Sequence, residues 1–161
     1  GPRAMARIRA QGLNAADVGT LPGAAGGPKA LGIQGLDLAL FGEWLPSAPR
    51  ERSLIGASVG SWRFASACLP DAAEGIRRLG QLYAEQNFNK GVTMAEISQS
   101  SQRMLNDLLD GRDASILDNA HYRLNIMVVK SQGRLADDHR GRLGHHGSRH
   151  RRRPRRRGIE Q

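Results

Sequence analysis

The sequence predicts an α/β fold, a three-layer α/β/α sandwich with a mostly parallel sheet that is incomplete at its C-terminus. Three observations lead there. Short apolar runs alternate with segments whose apolar residues recur at helical spacing. Glycine-rich stretches stand where a strand hands over to a helix, at Gly23–Gly32 and at Gly56–Gly60. A continuous apolar run, Ile126-Met127-Val128-Val129, suits an interior strand covered on both faces. Strands alternating with helices imply parallel pairing and right-handed crossovers.

Residues 1–16 read as a basic, alanine-rich extension with a short helix ending near Gly12. The α/β domain is expected over 17–138. Its first strand is the weak run Val18-Gly19-Thr20-Leu21, and a glycine loop follows it. The next helix, about Leu31 to Leu45, places Ile33, Leu36, Leu40 and Trp44 on one stripe, widened by Leu38 and Phe41. That pattern predicts a mostly buried helix, stopped by Pro46 and Pro49. Arg52 to Ile55 is the second strand, and a helix from Ser58 to Leu69 ends at Pro70. A helix over 72–86 carries Ile76, Leu79 and Tyr83 on one face. Thr93 and Glu96 have capping-box spacing and open a further helix. Its stripe is Ile97, Ser101, Met104, Leu105 and Leu108, and Gly111 closes it. Tyr122 to Val129 is the third strand.

Composition narrows the function classes. The formal net charge is +9, but residues from His139 onward hold nine arginines and one acid. Residues 1–138 hold 15 basic and 14 acidic residues, an ordinary balance. Residues 139–161 are therefore expected to be a disordered tail rich in Arg and His. Three readings of the tail stay open: a basic arm contacting nucleic acid or anionic membrane, a metal site built on its four histidines, or the product of a shifted reading frame. It lacks aromatic residues for base stacking, so no specific nucleic-acid recognition is expected. No apolar run is long enough to span a bilayer, and the N-terminus has no apolar signal segment. The default setting is cytoplasmic. The single cysteine, Cys68, reads as a small buried side chain rather than a reactive thiol.

The chemistry centres on Leu54-Ile55-Gly56-Ala57-Ser58-Val59-Gly60, an apolar run entering a G-x-S-x-G pentapeptide ahead of a helix. This is the context of a nucleophile elbow: a serine at a sharp strand-to-helix turn has its hydroxyl pushed clear of the backbone. Ser58 is the candidate nucleophile. Flanking Gly56 and Gly60 would let strand and helix approach closely. The N–H groups of Val59, Gly26 and Gly27 are candidate oxyanion donors, with Lys29 holding the loop or adding positive potential. The competing reading makes this a plain strand–helix connection in which Ser58 caps the helix. The glycine loop likewise also reads as a phosphate cradle or a tight turn, although it lacks a P-loop ending.

The combination of Gly26-Gly27-Pro28-Lys29-Ala30-Leu31-Gly32 with Gly56-Ala57-Ser58-Val59-Gly60 resembles the patatin-like phospholipases, over roughly Asp17 to Gly133. The resemblance implies a Ser-Asp dyad that hydrolyses acyl esters of lipids without cofactor or metal. Its substrate would be a lipid or small ester at a membrane surface. It also implies that the loop amides of Gly26 and Gly27 form the oxyanion hole. Pro28 and Ala30 depart from the more glycine-rich family pattern. The family's aspartate stands in a D-G-G or D-G-A motif, whereas this chain has only Asp110-Gly111-Arg112, where a helix cap is the competing role. Asp137, Asp138 and His139 are expected to be solvated, and His121, before the third strand, to be structural. The dyad aspartate is thus unassigned, and the expected protein is a truncated hydrolase of this type. The rival is a binding protein that works through its basic tail.

Overall fold

The computed structural model describes residues 1–88 and 91–130. Helix α1 (Pro2–Gln11) is followed by strand β1 (Thr20–Gly23). A helical stretch then runs through a 3-10 segment (Gly27–Ile33), α2 (Gln34–Ala39) and a π-helical turn (Leu40–Trp44). Next come β2 (Arg52–Ala57), α3 (Val59–Ala67), α4 (Ala72–Ala84), α5 (Met94–Leu109), α6 (Asp113–Leu117) and β3 (Tyr122–Met127). The class is α/β, with a three-stranded parallel sheet in the order β1-β2-β3. Register sets Gly23 beside Gly56, and Gly56 beside Ile126. All three strands therefore end at one edge of the molecule, the edge where open α/β sheets bind ligands.

Alternation along β2 decides which face packs. Arg52, Leu54 and Gly56 are buried, whereas Ser53, Ile55 and Ala57 are exposed or half-buried. Helices α2, α3 and α4 lie on the buried side. There Phe41 makes edge-on contacts with Phe64 and Tyr122, at 5.9 and 5.7 Å between ring centroids. Leu45, Leu54, Cys68 and Ile76 complete that core, and Leu69, Leu79 and Leu108 form a second one between α4 and α5. On the opposite face Thr20, Pro22, Arg123 and Asn125 are exposed. Helical cover is thus found on one face among the described residues, where the sandwich reading expects it on both.

Helix placement largely follows the sequence pattern. The Thr93–Glu96 capping box forms with both reciprocal hydrogen bonds. Hydrogen bonding to Thr93 holds the Glu96 carboxyl below its usual pKa. Three expectations are corrected. Strand β1 is shifted two residues later than Val18–Leu21, because pairing with β2 runs from Thr20 to Gly23. The third strand is an edge strand rather than an interior one: Ile126 to Val129 are more than half exposed, since no described strand pairs on their far side. The buried line along the first long helix is Asp37-Phe41-Leu45, and Leu36 is 55% exposed. Phe41 and Leu45 supply the apolar burial on that line, and the acidic side chain between them and the loop is satisfied by Arg63. The expected tail at 139–161, with Asp137 and Asp138, lies outside the described residues.

Arg52 is the least expected core residue. The residue is 2% exposed, and its guanidinium donates to the carbonyls of Val18, Arg50, Ala15 and Ala48, at 2.8–3.3 Å. It gathers the approach to β1 and the loop before β2 around one planar group. Arg52→Met would leave these carbonyls without their donor, so we expect a loss of about 3 kcal/mol or more in unfolding free energy, measured by urea denaturation. Cys68 is fully buried, and burial pushes its thiol up to about 12 from 9.0. The unfolded chain then ionises first, so the contribution of this buried thiol to stability is fully present below about pH 9 and is lost as pH rises towards 12. Across that interval Cys68→Ala is expected to show a shallower alkaline loss of Tm than the wild type.

Candidate active site

Strand β2 ends at Ala57 and α3 begins at Val59, leaving Ser58 alone to make the turn. It does so at φ 51°, ψ −126°, a region that side-chain-bearing residues rarely occupy. Such backbone costs on the order of 1–3 kcal/mol and persists only where the surroundings enforce it. Here the enforcement comes from Gly56 and Gly60. A Cβ on Gly56 would lie 2.6 Å from the backbone N and Cα of Ser61, so the strand passes directly under the first turn of α3. A Cβ on Gly60 would lie 2.2 Å from the carbonyl oxygen of Gly23. The helix after Ser58 is therefore seated against the end of β1, where the glycine loop begins.

This geometry separates the two readings of Ser58. As the residue before α3 it makes no side-chain capping bond, although its carbonyl accepts the Ser61 N–H at 2.8 Å. Ser58 is exposed, at the edge of the sheet where the strands end. The amides of Val59 and Gly60, in the first turn of α3, are free of intrahelical partners by position. Those of Gly26 and Gly27 stand at the opening of the 3-10 segment, with Gly27 at φ 55°. Lys29 is exposed on the same segment. The structure thus brings the Ser58 turn and the start of the Gly23–Gly27 loop to one end of the sheet, in backbone contact through Gly60 and Gly23. Negative charge placed beside the Ser58 hydroxyl would face the first-turn N–H groups and the positive end of α3.

The candidate bases lie elsewhere. Asp110 ends α5 in a left-handed conformation, φ 49°, and pairs with Arg78 on α4 at 3.8 Å. The cap is Asp110 itself, followed by Gly111 at φ 73°. His121 stands exposed just before β3, its backbone carbonyl accepting the N–H of Arg52. That is the opposite end of the strands, about 20 Å from Ser58 for a six-residue strand. A cavity of about 420 Å³ at that end is lined by His121, Arg52 and Asp71 among others, far from the elbow. Among the described residues no group of three His, Cys, Asp or Glu side chains is arranged to hold a metal.

Sequence reasoning missed the buried polar residues beneath the elbow. Asp37, 2% exposed, takes two hydrogen bonds from Arg63, Nε at 2.6 Å and Nη2 at 2.5 Å. Val59, Asp37 and Arg63 share the walls of one narrow crevice with Leu31 and Ile76. The signal was present, since an acid at position 37 interrupts an otherwise apolar helical stretch. The Ser61 hydroxyl is buried without a partner among the described residues.

The chain matches no protein-family model, no curated protein and no solved structure. Among the described residues no helix is long and apolar enough to cross a membrane. Strain at Ser58 yields a prediction. Ser58→Gly adopts the same turn without a Cβ, so we expect it to stabilise the fold by about 1 kcal/mol in urea denaturation. Stabilisation on removing an exposed serine would mark the turn as one held against its own preference.

Proposed function

We propose that the chain is a serine acyl hydrolase of the patatin-like type, acting on lipid or small esters at a membrane surface from the cytoplasm. One observation carries the reading: an exposed, uncapped serine in a strained strand-to-helix turn, seated against the opening of a glycine loop. In this reading the Ser58 hydroxyl oxygen attacks the ester carbonyl. The negative charge that develops on the carbonyl oxygen is met by the N–H groups of Val59, Gly26 and Gly27, each worth about 3 kcal/mol in the transition state. Collapse of the tetrahedral intermediate expels the alcohol and leaves an acyl-Ser58 ester for water to cleave.

The proton of Ser58 needs an acceptor, and in a patatin-like enzyme that is an aspartate. Asp110 serves as a helix cap, and Asp37 is held by Arg63, so neither is assigned that part. The proposed hydrolase accordingly has its nucleophile assigned at Ser58 and no dyad aspartate assigned among the described residues. Its acyl transfer is expected to be slow, which favours a covalent probe over turnover. A fluorophosphonate should label the wild type at Ser58, located by peptide mass spectrometry, and leave Ser58→Ala unlabelled. Equal labelling of both proteins would remove Ser58 from the chemistry and end the proposal.

A further inference from the structure

The two parts of the proposed site belong to different stretches of chain. The glycine loop leads through the 3-10 segment into α2, and Ser58 leads into α3. For Gly26 and Gly27 to serve an oxyanion on Ser58, these stretches must keep one mutual position. At the sheet the contact of Gly60 with Gly23 sets the start of both. Beyond the loop, the ties are polar side chains of α2. Gln34 donates to the carbonyl of Ile76 on α4 at 2.9 Å, in the space left by the missing side chain of Gly80. One turn later Asp37 grips Arg63 of α3 through both carboxylate oxygens.

The Asp37–Arg63 pair is costly for what it adds to stability. Its side chains are 3% and 14% exposed, so both charges have lost nearly all their water. Replacing such a pair by apolar residues of similar size is often neutral or stabilising. Its distinctive property is directional. A planar guanidinium bonded twice to a planar carboxylate fixes angle as well as distance, which an apolar contact does not. The apolar crevice around it supplies burial already, through Leu31, Val59, Ile76 and Leu79.

We propose that Asp37 and Arg63 are positioning residues, a buried fork that holds the glycine-loop helix in register with the nucleophile helix. The inference rests on the hydrolase reading for its purpose, while the fork itself is a matter of geometry. Displacing a reacting group by about 1 Å costs on the order of 100-fold in rate. Loss of the fork should therefore act on the rate of acyl transfer rather than on capture of the reagent.

The test uses the full chain and two variants. Asp37→Asn keeps size and removes the charge; the double variant Asp37→Leu with Arg63→Met keeps the site filled and leaves no unpaired ion. Hydrogen exchange followed by mass spectrometry reads the amides of 30–39, which the 3-10 segment and α2 hold in helical hydrogen bonds. Both variants should exchange there at least about 10-fold faster, with β2 and α4 unchanged. In fluorophosphonate labelling the limiting rate at saturating probe should fall about 100-fold, with the half-saturating concentration unchanged. A folded double variant with wild-type exchange at 30–39 overturns the proposal, as does a loss confined to the half-saturating concentration. A wild type that is not labelled at Ser58 overturns the hydrolase reading instead, and the exchange experiment still decides the fork.

Discussion

The close approach of Gly60 to the end of β1 is the constraint on which the rest of the structure depends. Backbone packs on backbone there, with no room for a single methyl group on Gly60. Because β1 and β2 are parallel and in register from Thr20 with Ser53, both strands finish together. The helix that leaves β2 must then turn back across the end of β1 at once. Only one residue is available for the reversal, and that residue is Ser58. Its left-handed backbone is the consequence of this packing, and so is the outward direction of its side chain.

The same constraint explains why the candidate site is made so largely of main chain. A turn this tight excludes side chains from its inner surface, so what it presents is amide N–H groups and one hydroxyl. Anion stabilisation by preorganised amides needs no titratable group and little reorganisation. The titratable groups lie deeper or elsewhere. Arg52 organises loops at the starting end of the sheet, and Asp37 and Arg63 join two helices beneath the elbow. The buried guanidinium and the candidate site are thereby divided along the strand axis. The far end of the sheet is held by the buried guanidinium of Arg52, and the near end carries the strained turn.

The exposed faces follow from the same arrangement. A parallel sheet is ordinarily buried on both faces. Here Ile55 on the uncovered face and Ile126 and Met127 at the β3 end remain exposed among the described residues. The apolar run at Ile126–Val129 reads as an interior strand because its composition belongs to one, while its place in the sheet order makes it an edge.

Much of this protein was legible in local sequence. Helix starts were written in capping chemistry, as at Thr93, and the elbow in the alternation of glycine and serine around position 58. These features are short-range, set by backbone preference and by bonds within a turn. The facing of the first long helix was not legible. Leu36 stands on the predicted stripe yet is exposed, while Asp37 beside it is buried on Arg63, a partner 26 positions away. Nor was the part played by Arg52, whose acceptors lie up to 37 positions off. The residues alone determined the class of fold, the order of its elements and the serine at the turn. Only the tertiary structure decided which charges are buried, because the cost of burying a charge depends on partners that the chain brings near it by folding.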